Sequence, residues 1–182
     1  NYLGGQLAAR HLVEQGFRRI GIITGPLSWW EARQRKQGWK DALQASGLPC
    51  PEELVVSGDW YPSSGASGME ELLRRCPDLE AVFACNDPMA AGALQAARRS
   101  GRSIPGDLTV VGFDDVPEAA YFSPSLTTIS QPLTDLGGLA VDLLNQVLAS
   151  QQNSPETNIP DAIWVQPQLV IRESSIRAVV VP

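Results

Sequence analysis

The sequence predicts an α/β chain, a parallel sheet with helices on both faces. Three observations carry this. Short, continuously apolar runs recur without polar alternation, as in strands buried on both faces. Segments with helical apolar spacing separate them, so that helix and strand alternate five times, the pattern of right-handed parallel crossovers. Finally, Leu79–Leu94 turns from strand to helix with no spare loop. Ala81–Cys85 is the apolar run, Asp87 offers an N-cap oxygen, and Pro88 suits the first helical position, where no N–H is needed. The switch leaves Asn86 at the carboxyl end of a parallel strand, where open α/β sheets bind ligands. Asp87 reads as turn and cap, Asn86 as a ligand contact.

Taken in order, Leu3–Gln15 places Leu3, Leu7, Ala8, His11 and Leu12 at helical spacing, with Gly16 as the stop. Arg19–Thr24 is a buried strand followed by the loop signal Gly25-Pro26. Glu31–Ser46 is a helix closed by Gly47, Leu54–Ser57 a short strand, and Gly58–Gly65 an irregular loop at its carboxyl end. Gly68–Arg75 is helix as far as Pro77. After the Leu79–Leu94 switch, Leu108–Phe113 is a strand with Asp114-Asp115 at its carboxyl end. The pattern then changes. Leu126–Ser130 is a strand with no long helix before it. Leu133, Leu136, Ala140, Leu143, Leu144 and Val147 form an apolar stripe on a helix of about four turns. Ser150–Asn158 is a polar linker, Leu169–Ile171 closes the sheet, and Ile176–Pro182 is a tail with a β-like run.

A chain of 182 residues with 43% apolar and 19% charged content is that of a soluble globular protein able to bury a proper core. The net charge of −6, from 14 basic and 20 acidic residues, argues against this chain gripping a phosphate backbone itself. The arginine pairs at 18–19, 74–75 and 98–99 sit at predicted helix ends, where cations suit the dipole. Cys50, Cys76 and Cys85 lack Cys-x-x-Cys spacing, so neither a disulfide framework nor a metal site is signalled, and a reduced, cytoplasmic protein is expected. No apolar run approaches the roughly 20 residues of a membrane span. The first residues are not a signal peptide and lack an initiator Met, which reads as a piece of something longer.

Catalysis is not expected, and neither is a cofactor. There is no Gly-x-Gly-x-x-Gly after a strand and no phosphate-binding loop, and Gly65–Gly68 lacks the spacing of a nucleophile elbow. The one histidine, His11, falls on the apolar side of its helix with no ligand-spaced partner. Lys36 and Lys40 do not follow a late strand, as phospho-acceptor chemistry at Asp114-Asp115 would need. What remains is a ring of groups at strand carboxyl ends: Trp29 and Trp30 after the first strand, Arg35 in the next helix, Trp60 after the second, Asn86 after the third and Asp114 after the fourth. Each alone is ordinary. Jointly they make an aromatic platform with hydrogen-bonding groups around it, a small-polar-molecule site that suits sugars.

At this point the residues resemble the LacI/GalR family of bacterial transcriptional regulators. The segments that carry the resemblance run from end to end: Asn1–Gly5, Ile20–Pro26, Arg35–Trp39, Gly58-Asp59-Trp60, Asn86–Ala90, Ile104–Asp107, Val110–Asp115, Pro124–Pro132 and Val170–Ser174. The resemblance implies a periplasmic-binding-protein-like (type I) effector domain. Residues 1–130 would be its carboxyl-terminal lobe, 131–160 a segment crossing to an amino-terminal lobe otherwise absent, 161–175 the return, and 176–182 a tail. The crossing helix would then lack its natural partner and is expected to pack abnormally, swap with a neighbour or be poorly ordered.

The resemblance places the family's effector contacts on Arg35, Trp60, Asn86 and Asp114; Trp29 and Trp30 depart from the family pattern in being unusually aromatic, and would tune the pocket or its rim. Glu31 and Leu133 fall at further pocket positions whose residue types vary too much to assign. It implies a homodimer through Met89, Ala93, Ala96, Tyr121 and Phe122, residues that would equally serve as ordinary core, and operator DNA bound by a helix-turn-helix that this chain lacks. The expected function is small-molecule sensing, most simply of a sugar, and dimerisation in a LacI-type repressor. The alternative is a periplasmic sugar-binding protein of a transport system, which a signal peptide would support.

Overall fold

In the computed structural model, which describes residues 1–153 and 162–176, the elements follow in the order α1 (Tyr2–Glu14), β1 (Ile20–Thr24), α2 (Trp30–Ala45), β2 (Val55–Ser57), α3 (Pro62–Arg75), β3 (Ala81–Ala84), α4 (Asp87–Arg99), β4 (Thr109–Asp114), β5 (Thr127–Ser130), α5 (Leu133–Asn153) and β6 (Gln168–Val170). Short 3₁₀ turns lie at Glu52–Leu54, Pro117–Tyr121 and Glu173–Ser175. The strands form one sheet in the order β2-β1-β3-β4-β5-β6. Its pairings are parallel except the last, where β6 runs antiparallel to β5 with Ile129 opposite Leu169. The sequence alone predicts an all-parallel sheet. The return strand is instead reached from the far end of β5, so it runs back along the edge.

Two helix pairs cover the sheet, α1 with α2 and α3 with α4. Alternation along the strands sorts the core between them. A Cβ on Gly4 of α1 would touch Phe113 and Ile129, whereas Gly21 faces Leu72 of α3 and Gly68 of α3 faces Ile23. Ile22, Phe83, Val111 and Phe113 therefore lie under α1 and α2, and Ile23, Val82 and Val110 under α3 and α4, all fully buried. Trp39 of α2 is only 1% exposed, and burying such a side chain contributes about 1.5–3 kcal/mol.

Three sequence expectations are corrected. The α3 helix starts at Pro62, not Gly68, because Pro62 takes the first-turn position that tolerates a missing N–H, so part of the expected loop is helical. The cap of α4 is Asn86, whose Oδ1 accepts from the Met89 N–H at 2.9 Å, and Asp87 is already inside the helix. Met89, Ala93 and Ala96 are fully buried within the chain and so cannot form a dimer surface. The reason is that α4 turns its small and apolar residues towards α3 and the sheet, leaving Ala91, Gln95 and Arg98 outward. Tyr121, by contrast, is 88% exposed, and Phe122 is half-buried.

The chain divides into two units, Asn1–Ser130 with the return from Gln168, and Gln131–Pro167. In the second unit α5 is one continuous helix of 21 residues, longer than the apolar stripe predicts and taking in the start of the expected linker. Along it Leu136, Val141, Leu144 and Leu148 are exposed. Positions 154–158 of that linker lie outside the described residues, as does the tail beyond Ile176.

Candidate functional site

The strand order places β1 between β2 and β3, so the connections leaving its carboxyl end diverge there, the crevice position of an open α/β sheet. A hollow of ≈ 290 Å³ lies at this end, lined by Trp29, Glu31, Arg35, Trp60, Asn86 and Asp114. Five of the six residues singled out from sequence thus line one hollow. Trp30 does not line the hollow: Trp29 is extended at the helix boundary while Trp30 is the first helical residue, so the neighbours point apart. Trp30 is 55% exposed.

Arg35 reaches the hollow from the second turn of α2 and is only 7% exposed. Its Nε donates to Asn1 Oδ1 at 2.9 Å, and Nη1 donates to the Cys85 carbonyl at the end of β3. Nη1 also stands 3.5 Å from Asp114 Oδ1, a long contact. The guanidinium lies 3.6 Å over the Phe113 ring and 5.6 Å from the Trp60 ring, a stacked cation that Lys could not mimic. Burial lowers the Arg35 pKa, and the Asp114 and Glu31 carboxylates oppose that shift.

Trp60 forms the opposite side. Its backbone has φ 76°, a left-handed conformation rare outside glycine, and Asn86 Nδ2 donates to its carbonyl at 2.9 Å. The indole lies against Gly25, where any Cβ would come within 2.1 Å of ring carbon Cζ2. Trp29 meets Trp60 edge-on with centroids 6.2 Å apart. The Trp60 Nε1 is buried and has no hydrogen-bond partner among the described residues. Asn86 therefore does two things at once, capping α4 and holding Trp60, and still lines the hollow.

Asp114 ends β4 with φ 110°, and Asp115 follows at φ 55°. Asp87 is fully buried behind this turn, accepting from Val116 N–H at 2.9 Å and from the Thr128 hydroxyl at 2.6 Å. Burial pushes its carboxyl up to about 6. Sequence reasoning missed Phe113 and Asn1 as supports of Arg35. Phe113 carries the signal of being next to Asp114 on a strand, so its ring takes the opposite face. Nothing in the spacing marks Asn1.

His11 is a packed histidine, its Nε2 paired with Ser175 Oγ at 2.7 Å and that hydroxyl with Thr127 Oγ1 at 2.7 Å. Burial lowers its pKa, so it stays neutral inside the fold. Cys85 beside Arg35 is buried, its thiol pushed up to about 12 and hence inert as a nucleophile. No helix among the described residues is long and apolar enough to cross a membrane.

Comparison with known proteins adds the family. A periplasmic binding protein-like domain matches residues 9–175. The chain belongs to that family. It is similar to the HTH-type transcriptional repressor PurR of Photorhabdus laumondii, 40% identical over 173 residues, which are 95% of this chain and 49% of that protein. The PurR of Yersinia pestis is 42% identical over 171 residues, 94% of this chain and again 49% of the relative. Among solved structures, a complex of the transcriptional regulator CelR with cellobiose has a TM-score of 0.86 and 39% identity, covering 94% of this chain and 51% of that one. The Escherichia coli transcriptional repressor ascG has a TM-score of 0.87 and 31% identity, covering 96% and 61%. A dimeric Lac repressor with an 11-residue carboxyl-terminal deletion has a TM-score of 0.85 and 32% identity, covering 96% and 61%. The chain spans about half the length of the curated relatives it matches.

Proposed function

We propose that this LacI/GalR-type chain is the small-molecule sensing and dimerisation region of a cytoplasmic transcriptional repressor, with a sugar as its effector. The observation that carries the reading is the joint placement of Trp29, Arg35, Trp60, Asn86 and Asp114 around one hollow at the strand carboxyl ends. Trp60 and Trp29 supply an apolar platform for the C–H face of a sugar ring. Asp114 and Glu31 accept from hydroxyls, and Arg35 donates to ring or hydroxyl oxygens in charge-assisted bonds. The described groups bind and orient; the function proposed is not catalytic. The CelR relative was solved with cellobiose, which supports the sugar class.

The effector acts by binding one arrangement of the whole protein better than another, shifting the population bound to operator DNA. DNA contact belongs to a helix-turn-helix elsewhere in the protein, as the names of the PurR relatives indicate for those proteins. Residues 131–160 would cross to an amino-terminal lobe, and the exposed stripe of α5 would meet the rest of it. For self-association the exposed Tyr121 with Phe122 and the outward side of α4 form the surface, beside a hollow of ≈ 220 Å³ lined by Ala91, Leu94, Gln95, Arg98, Phe122 and Ser123.

The test is thermal-shift screening of the complete protein against D-glucose, D-galactose, D-ribose, cellobiose and maltose. A binding sugar at a hundredfold excess over its dissociation constant stabilises by about 2.7 kcal/mol. Arg35→Ala and Asp114→Ala should each abolish the shift. A sugar shift that survives in both variants removes these residues from the site. The competing class, a periplasmic transport receptor, is favoured instead if the gene encodes a cleavable signal peptide and no helix-turn-helix.

A further inference from the structure

We infer that Asp87 and Arg172, neither of which lines the hollow, are positioning residues that aim Asp114 into it from behind. The inference rests on the reading of Asp114 as an effector contact. Asp114 and Asp115 are consecutive non-glycine residues at φ 110° and 55°. Such a turn persists only where its surroundings over-determine it, and strained backbone of this kind gathers at ligand clamps.

The ties are visible on both sides. On one, the Val116 N–H donates to Asp87 Oδ2 at 2.9 Å, while Asp87 Oδ1 accepts from the Thr128 hydroxyl at 2.6 Å. Thr128 stands opposite Gly112 in the β4–β5 pairing, and Gly112 leaves the space the carboxylate needs: a Cβ there would lie 2.2 Å from Asp87 Oδ1. On the other side, Arg172 Nη2 donates to Asp115 Oδ1 at 2.8 Å and Nη1 to the Leu126 carbonyl at 2.8 Å. Arg172 is itself held, its N–H donating to Thr127 Oγ1 at 2.8 Å, and that hydroxyl donating on to the Arg172 carbonyl at 2.8 Å. The two residues immediately after Asp114 are thus pinned, one to α4 and β5, the other to the return segment.

Helix capping does not account for Asp87, because Asn86 performs it. A fully buried carboxylate is costly to keep, and both oxygens of this one are spent on the turn and its neighbouring strand. Precise placement matters because Asp114 stands at the wall of the hollow, 3.5 Å from Arg35 Nη1, and the backbone that carries it sets that position.

The experiment is a double-mutant cycle on the complete protein, read by isothermal titration calorimetry with the five sugars named above. Asp87→Asn and Arg172→Gln are each measured alone and combined with Asp114→Asn. Positioning predicts about a tenfold weaker affinity for each single variant, and less than twofold further loss once Asp114 is already changed. An equal loss in both backgrounds, or none in a protein folded as the wild type, overturns the inference. If Asp87→Asn fails to fold, Arg172→Gln carries the test, since that side chain is 20% exposed. An unchanged affinity in Asp114→Asn also overturns it while leaving the sugar reading intact. A wild type that binds none of the sugars overturns the functional reading, and the inference falls with it.

Discussion

Trp60 lines the hollow, and its indole keeps its place only because Gly25 behind it has no side chain. With a Cβ at position 25 only 2.1 Å from the indole, Gly25→Ala must push Trp60 out of place. Overpacking of this sort costs about 1–3 kcal/mol. The expected outcome is a lower urea midpoint, altered tryptophan fluorescence and loss of sugar binding; a variant with wild-type binding would show that the ring is not part of the site. The same scale governs the response to pH. Asp87 holds its proton up to about 6 in the fold against an ordinary value of 3.8. Between these values the folded chain binds more protons than the unfolded one, so stability from this group rises as pH falls from 6 towards 4 and is absent above 6. The difference amounts to about 3 kcal/mol at most. Other groups titrate as well, His11 in the opposite sense, so the measurement is the stability of wild type minus that of Asp87→Asn at pH 7 and at pH 4.5. The difference should move in favour of the wild type on acidification.

At the scale of the element, α4 shows how a helix start becomes part of a binding site. Asn86 Oδ1 caps the helix while Nδ2 holds the Trp60 carbonyl. Asn86→Asp keeps the first contact and removes the second, whereas Asn86→Ala removes both. The Ala variant should lose about 0.5–2 kcal/mol in chemical denaturation. The Asp variant should keep the cap yet bind sugar more weakly, because Trp60 at φ 76° loses its tether. Equal affinity in Asn86→Asp and wild type would reduce Asn86 to a cap. The return segment makes a second case: Ser174 and Ser175, fully buried, bond to the Val110 carbonyl, to Thr127 and to His11, so a short stretch ties α1, β4 and β5 together.

For the molecule as a whole, the exposed surface of α4 and the Pro117–Tyr121 turn carries a prediction. Tyr121 at 88% exposure is the kind of rigid, amphipathic side chain that dominates contact energies between proteins. If the chain pairs through this surface as proposed, Tyr121→Arg should weaken that association about tenfold in sedimentation equilibrium, with the proposed sugar binding retained. An unchanged association constant would move the interface elsewhere.

The sequence by itself determined what depends on neighbours along the chain. Apolar runs and helical spacing located every strand among the described residues to within a residue or so, because burial on two faces or one stripe imposes its period locally. Position at a strand's end picked out Trp29, Trp60, Asn86 and Asp114, and the helix that follows the first strand supplied Arg35; all line one hollow, since parallel strands bring their carboxyl ends to one edge. Tertiary structure alone decided which side chain faces where. It gave the cap to Asn86 rather than Asp87, turned Met89, Ala93 and Ala96 inward, set Trp30 aside and ran β6 antiparallel. It also brought Arg35 onto Phe113 and within reach of Asp114, 79 residues away along the chain. The physical reason is that period and propensity are local, whereas burial, hydrogen-bond partner and strain depend on groups that meet only once the chain has folded.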